Sequence, residues 1–267
     1  MKVKLQKSGP YHFEIKGKII GSDYFRIIAG PCTIENYPDL LAIARKLKAM
    51  DIHFLRGGAF KLRTSPYSFQ GLGKSALEIL ARVGEETGMI TVSEITCIED
   101  LDVMYRLVNV IQVGTRNMNN FPLLRKLGEI DHPVILKRGM ANTVEEWLLA
   151  AEHILAAGNR RVILCERGIR TFETATRYTL DLSAIPVVKA QSQLPVFVDP
   201  SHSAGIRELI KPLSWAAAAA GADGLIIETH ICPDEAVCDA GQTITPEALQ
   251  QIIVPLPDLL KLWHKTL

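Results

Sequence analysis

The chain has no apolar run approaching the ~20 residues that cross a bilayer. Its first residues, MKVKLQKSG, lack the apolar stretch of a secretory signal. An excess of one charge is missing too. Thirty Lys and Arg against 29 Asp and Glu leave a net charge of +1, which excludes a chain-wide field that would gather nucleic acid or an acidic surface. The five cysteines (Cys32, Cys97, Cys165, Cys232, Cys238) contain no C-x-x-C pair. A disulfide framework is therefore not expected, and a reducing compartment, the cytoplasm, is. The aromatic residues form no stacking ladder, and no linker, low-complexity tract or long charge block divides the chain.

What is present is a repeat of strand, loop and helix. At 267 residues with 48% hydrophobic content, the chain suits a single α/β barrel of ~250 residues. Residues 1–22 carry two alternating runs, Val3–Leu5 and His12–Ile20, around Ser8-Gly9-Pro10, which predict an N-terminal β-hairpin. Residues 23–267 then predict a (β/α)8 barrel. Its strands are expected at Phe25–Ala29, Ile52–Leu55, Met89–Ser93, Val110–Val113, Val134–Leu136, Val162–Leu164, Val196–Val198 and Leu225–Ile227. These are continuous apolar runs rich in Val and Ile, as strands buried on both faces should be. Helices are expected between them, including Phe172–Leu182 after the sixth strand and one long helix, Pro246–His264, at the end. Thr143 with Glu146 reads as a capping box.

Each strand ends on polar chemistry: Gly30-Pro31-Cys32, Arg56-Gly57-Gly58, Glu94, Gly114-Thr115-Arg116, Lys137-Arg138, Glu166-Arg167, Asp199-Pro200-Ser201-His202 and Glu228. A closed parallel barrel gathers all these ends on one face, where such enzymes work. An open doubly wound sheet would leave most of them without a common target. The loop Arg56 to Gly71, RGGAFKLRTSPYSFQG, is too long for a simple connection. Its cations and hydroxyls suit phosphate and carboxylate oxygens.

Barrel closure would also bring Cys32 to His202, Glu228 and Asp239. That S, N, O, O set suits one divalent ion (Mn, Fe, Co or Zn) rather than a Cys-only zinc site. Singly, each has a plainer reading: a small core residue, a capping histidine, a turn former. Arg56, Lys61, Arg116, Lys137, Arg138 and Arg167 outnumber Glu94 and Glu166, and cations crowding a barrel mouth need anionic partners. A polyanionic small ligand is expected, with Glu94 free to place a water or accept a proton. A structural ion pair is the plainer reading of Glu94. His230 is expected to line the site, and Cys232 and Cys238 to be loop residues.

The strings IAGPCTIEN, RGGAFKLRTSPYSFQGLG, QVGTRNMNNFPLLRKLG, ILKRGMANTVEEWLLAAEHILAAGN, LCERGIRTFE and DPSHSAGIREL resemble the 3-deoxy-7-phosphoheptulonate synthase family, in its short Iβ form, from residue 25 almost to the C-terminus. The resemblance implies a barrel enzyme that condenses phosphoenolpyruvate with erythrose 4-phosphate and releases phosphate, the first step of the shikimate pathway. It implies metal ligands Cys32, His202, Glu228 and Asp239. It puts Arg116 and Arg167 on the phosphate of phosphoenolpyruvate, and Arg56, Lys61 and Lys137 around its carboxylate. Arg63 and Thr64 would hold the aldose phosphate, Asp199 would join the substrate-binding set, and Lys61 and Glu94 would handle protons and water.

Two departures stand out. Leu62 replaces the usual Pro of K-P-R-T-S, and ICPDEAVCDAGQT (231–243) differs from the family pattern although Asp239 aligns. The related 3-deoxy-octulosonate-8-phosphate synthases use arabinose 5-phosphate and carry an extra Asn between Lys and Arg of that loop. Lys61-Leu62-Arg63 has none. A non-catalytic phosphosugar-binding barrel would have lost metal ligands or Lys61, and none is lost. Self-assembly as a homotetramer or homodimer is expected. Weak or absent feedback control is also expected, because only about two dozen residues precede the first barrel strand, too few for a separate domain.

Overall fold

The computed structural model describes residues 11–62, 65 and 67–267. Strands β1 (His12–Ile15) and β2 (Lys18–Gly21) pair antiparallel. The eight strands that follow are β3 (Arg26–Gly30), β4 (Phe54–Arg56), β5 (Ile90–Ile95), β6 (Val110–Val113), β7 (Val134–Lys137), β8 (Val162–Glu166), β9 (Val196–Val198) and β10 (Gly224–Glu228). They form a closed parallel barrel in chain order, β10 returning to β3 with Glu228 level with Gly30. The helices are α1 (Tyr37–Ala49), α2 (Lys74–Thr87), α3 (Leu101–Leu107), α4 (Phe121–Gly128), α5 (Val144–Ala156), α6 (Ala184–Gln191), α7 (Pro200–Ala204), α8 (Arg207–Ala219), α9 (Pro246–Ile253) and α10 (Leu256–Leu260). Among the described residues no helix is long and apolar enough to cross a membrane.

The strands alternate as the pleat demands. On β3, Ile27 and Ala29 pack outward into the cluster shared with the helices, while Ile28 joins Phe54, Ile90, Val110, Ile135 and Phe197 inside the barrel. Ile15 and Ile20 of the hairpin belong to that inner cluster, and Arg26 Nε, at the start of β3, donates to Ile19 O at 2.9 Å. The hairpin therefore plugs the N-terminal mouth and leaves the opposite mouth for chemistry. Gly30, at φ 144°, permits the strand ends to close: a Cβ there would lie 2.1 Å from Arg56 O.

Among the described residues the hairpin spans His12–Gly21, turning at Lys16-Gly17 with φ of 46° and 79°, the two-residue turn whose twist matches the strands. Val3–Leu5 lies outside the described residues. Two expectations need correction. The segment 172–182 is not helical. Its backbone is tied to neighbours instead: Ile169 pairs with Thr179, and the N–H groups of Arg177 and Tyr178 donate to Ala204 O and Ser203 O. The C-terminal helix is broken into α9, α10 and a 3-10 turn at Lys261–Trp263, because Pro255 and Pro257 lack the N–H that a continuous helix needs. The capping box of Thr143 and Glu146 is present at α5.

One buried histidine makes stability depend on pH. Burial, with Arg161 nearby, pushes His132 down to about 4, and its Nε2 has no hydrogen-bond partner among the described residues. The unfolded chain, titrating near 6.5, then binds the extra proton first, so stability is lost as pH falls from about 6.5 to about 4, by roughly 3 kcal/mol. Urea unfolding midpoints should drop across that window, and His132→Gln should flatten the drop. Parallel curves for the two proteins would remove His132 as the cause.

Candidate active site

At the open mouth, one donor atom from each of Cys32, His202, Glu228 and Asp239 lies within 4.8 Å of the other three. The barrel seam makes this possible, since Cys32 follows β3 and Glu228 ends β10. His202 sits on α7, whose N-cap Asp199 accepts from the His202 backbone N–H at 2.9 Å and meets His202 Nδ1 at 2.7 Å. The ring is thereby held with Nε2 toward the cluster, 3.3 Å from Glu228 Oε1. Burial favours its neutral form, the one that binds metals.

Glu228 is completely buried. Arg56 donates to Oε1 at 2.9 Å, Gln242 Nε2 to Oε2 at 2.6 Å, and the Glu228 N–H donates to Ser201 Oγ at 3.0 Å. Burial acts to raise its pKa, but His202, Arg56 and Lys61 outweigh burial and hold it down at about 2. Cys32 Sγ donates to Asp239 Oδ2 at 3.1 Å and receives Lys61 Nζ at 2.9 Å. Burial and the carboxylates of Glu228 and Asp239 push the thiol well up, while Lys61 is held above the usual lysine range, its thiol and carboxylate neighbours outweighing burial. Asp239 adopts the left-handed conformation, φ 56°, at the start of a 3-10 turn, Ala240–Gln242. Four converging donors of this kind fit a borderline divalent ion.

Beside the cluster is a cleft walled by Lys61, Glu94, Arg116, Lys137, Arg167 and Arg177. Arg167 is 95% buried, stacks over the Tyr178 ring at 4.1 Å, and its Nη1 has no partner among the described residues. Burial depresses its pKa. Glu94 accepts from Gln112 Nε2 at 2.8 Å and lies over Gly114, where a Cβ would come within 2.0 Å of its Oε1. The base of the loop holding Lys61 is pinned by Lys61 N–H to Gln70 O and Gly73 N–H to Ala59 O, both 2.9 Å.

Three residues lie apart from the cleft lining. Arg138 does not face the cleft: Nη1 binds Glu166 at 2.9 Å and Asp181 at 2.8 Å, and Nε donates to Asn142 O at 3.0 Å. Asp199 is fully enclosed, its carboxylate held by His202 and the buried Lys137 ammonium. Burial would raise its pKa, and His202 and Lys137 draw it well below the usual carboxylate range. His230 is buried with Nδ1 turned to the Cys232 backbone and does not line the cleft. Arg63 and Thr64 lie outside the described residues. Arg177, Tyr178 and Gln242 were not foreseen. The first two fall in the segment expected to be helical, although Arg and Tyr beside a Gly168 of φ 91° fit a cleft wall better than a helix face.

An eight-stranded parallel barrel carrying its convergent charged residues at the strand C-termini defines a (β/α)8 enzyme with its site at that mouth. Residues 2–261 match the model of the DAHP synthetase I family. The chain is 49% identical to phospho-2-dehydro-3-deoxyheptonate aldolase of Thermotoga maritima over 90% of its length and 71% of the relative's. It is 31% identical to a 2-dehydro-3-deoxyphosphooctonate aldolase of Desulfatibacillum aliphaticivorans, covering 88% of this chain and 90% of that one. The crystal structure of the Thermotoga maritima DAHP synthase superposes with a TM-score of 0.93 at 46% identity, over 96% of this chain and 75% of that one. A truncated form of the Thermotoga maritima enzyme gives 0.89 at 42% identity, with 96% and 94% covered. The chain belongs to the DAHP synthetase I family, and it is an enzyme of that family.

Proposed function

We propose that the protein condenses phosphoenolpyruvate with erythrose 4-phosphate to 3-deoxy-D-arabino-heptulosonate 7-phosphate and phosphate. The observation that carries this reading is the buried Arg167 guanidinium with an unpartnered N–H, set beside Lys61, Lys137 and Arg116. A buried cation left short of hydrogen bonds is costly, and a phosphate oxygen would satisfy it. Arg116 and Arg167 take the phosphate of phosphoenolpyruvate, while Lys61, Lys137 and Arg56 set the field for its carboxylate. Arg63 and Thr64 remain the proposed holders of the aldose phosphate.

C3 of the enol attacks the aldehyde carbon, water adds at C2, and the C–O bond to phosphate breaks. Cys32, His202, Glu228 and Asp239 would hold a divalent ion, which polarises a carbonyl oxygen as a Lewis acid. Lys61, kept as an ammonium, supplies positive charge and a proton at the developing alkoxide. Glu94, oriented by Gln112, places the water. Gly114→Ala should push Glu94 aside and lower turnover about 10²-fold or more without moving the thermal midpoint. A normal kcat in that variant would remove Glu94 from the mechanism.

Cytoplasmic location and assembly as a homodimer or homotetramer belong to the same reading. Half-exposed Phe121 and Leu149 on the α4–α5 face support self-association. The decisive assay measures phosphate release from phosphoenolpyruvate with erythrose 4-phosphate and arabinose 5-phosphate side by side. Erythrose 4-phosphate should be preferred strongly. Equal or faster turnover of arabinose 5-phosphate would assign the octulosonate reaction, and no release with either aldose would leave a binding protein.

A further inference from the structure

Gln242 is 97% buried on the same 3-10 turn that begins at Asp239. Its amide lies between two charged groups. Nε2 donates to Glu228 Oε2 at 2.6 Å, and Oε1 accepts from Arg177 Nη1 at 2.8 Å. Glu228, as a carboxylate, can only accept and Arg177 can only donate, so the orientation of the amide is forced. The turn is itself anchored: Gln242 N–H and Thr243 Oγ1 donate to Asp239 O, each at 3.1 Å, and Arg207 Nη2 donates to Ala240 O at 2.9 Å. One short turn thus presents Asp239 directly and grips Glu228, which comes from a different element.

A carboxylate held on one oxygen alone can swing about its last bond. Arg56 holds Glu228 Oε1, and Gln242 is the side chain that holds Oε2. No other side chain type of that length both donates to Glu228 and accepts from Arg177 while staying neutral. Methionine does neither, and glutamate would set a like charge against Glu228.

We propose that Gln242 is a positioning residue of the metal centre: clamped between Arg177 and Glu228, its amide sets the plane of the Glu228 carboxylate and thereby the affinity for the divalent ion. The proposal rests on the reading of Cys32, His202, Glu228 and Asp239 as ligands. Hydrogen-bonding partners that orient a ligand of this kind contribute roughly 10–100-fold in metal affinity.

The test uses the full chain, stripped with a chelator and titrated with Co2+. Binding is read from the thiolate-to-cobalt absorption band and from competition with a chelator of known affinity. Gln242→Met should weaken the Co2+ Kd about 10–100-fold and alter the ligand-field bands, with phosphoenolpyruvate binding to the metal-free protein unchanged. Gln242→Asn, whose shorter amide withdraws from Glu228 but keeps a polar side chain, should weaken it in the same direction. A wild-type Kd and spectrum in either folded variant overturns the role of Gln242. If both variants fail to fold without metal, Gln242 is a folding residue and the proposal is likewise overturned. A wild-type protein showing no cobalt–thiolate band overturns the ligand assignment itself, and this inference with it.

Discussion

Removing divalent ions with a chelator is expected to lower phosphate release by about 10³-fold or more, since an ion at such a centre supplies several kcal/mol of charge stabilisation. Mn2+ or Co2+ should restore it. The restored affinity should also depend on pH in a definite direction. Burial and the Glu228 and Asp239 carboxylates hold the Cys32 thiol well above its ordinary value, so the ion-free protein carries a neutral thiol at pH 7. Binding must expel that proton. The apparent affinity should therefore rise with pH, by up to about tenfold per unit while the thiol is the group deprotonated. Proton release on Co2+ addition, measured in weak buffer, checks the same step. Undiminished turnover in rigorously metal-free protein would end the assignment.

Replacing Arg167 is the second large effect. Arg167→Met should raise the KM for phosphoenolpyruvate by about 30- to 10³-fold, the loss expected for charge-assisted hydrogen bonds at a buried site. It should not lower the thermal midpoint, because the guanidinium it removes is buried with an unsatisfied N–H. Arg138→Met provides the contrast. Arg138 is locked to Glu166 and Asp181, and taking one partner from a buried pair costs about 3–5 kcal/mol. That variant should lose stability more than phosphoenolpyruvate affinity. A destabilised Arg167→Met with an ordinary KM would show that Arg167 is a structural cation.

The barrel could be read from the sequence because its strands are unbroken Val- and Ile-rich runs that each stop at a polar group. Convergence of Cys32 with His202, Glu228 and Asp239 followed from closure alone, without any side-chain geometry. What could not be read depends on tertiary partners. Residues 172–182 stand where a barrel repeat expects a helix, yet the carbonyls of Ser203 and Ala204 claim the N–H groups of Tyr178 and Arg177. Arg138 and Arg167 each follow a strand and look alike in sequence. Only the folded chain shows which one is already neutralised, by Glu166 and by Asp181 arriving from that irregular segment. Asp199 follows β9 at the mouth, but the sequence does not show that Lys137 and His202 occupy its carboxylate. Gln242 gave no signal, since a glutamine three residues after an aspartate is ordinary loop composition.

The pairing of Glu228 with Gly30 has a consequence for how the protein is assembled. Three of the four donors come from the last third of the chain and the fourth from near its beginning. A ring lacking either β3 or β10 would not hold Cys32 beside Glu228. The centre comes into existence only when the last staves of the cask are drawn against the first, and an ion bound there becomes a rivet across the joint. It will favour the closed ring over any opened one by its own binding free energy. Loss of metal should then weaken that joint, and amide exchange of β10 and β3 should be faster in the ion-free protein than in the ion-loaded one.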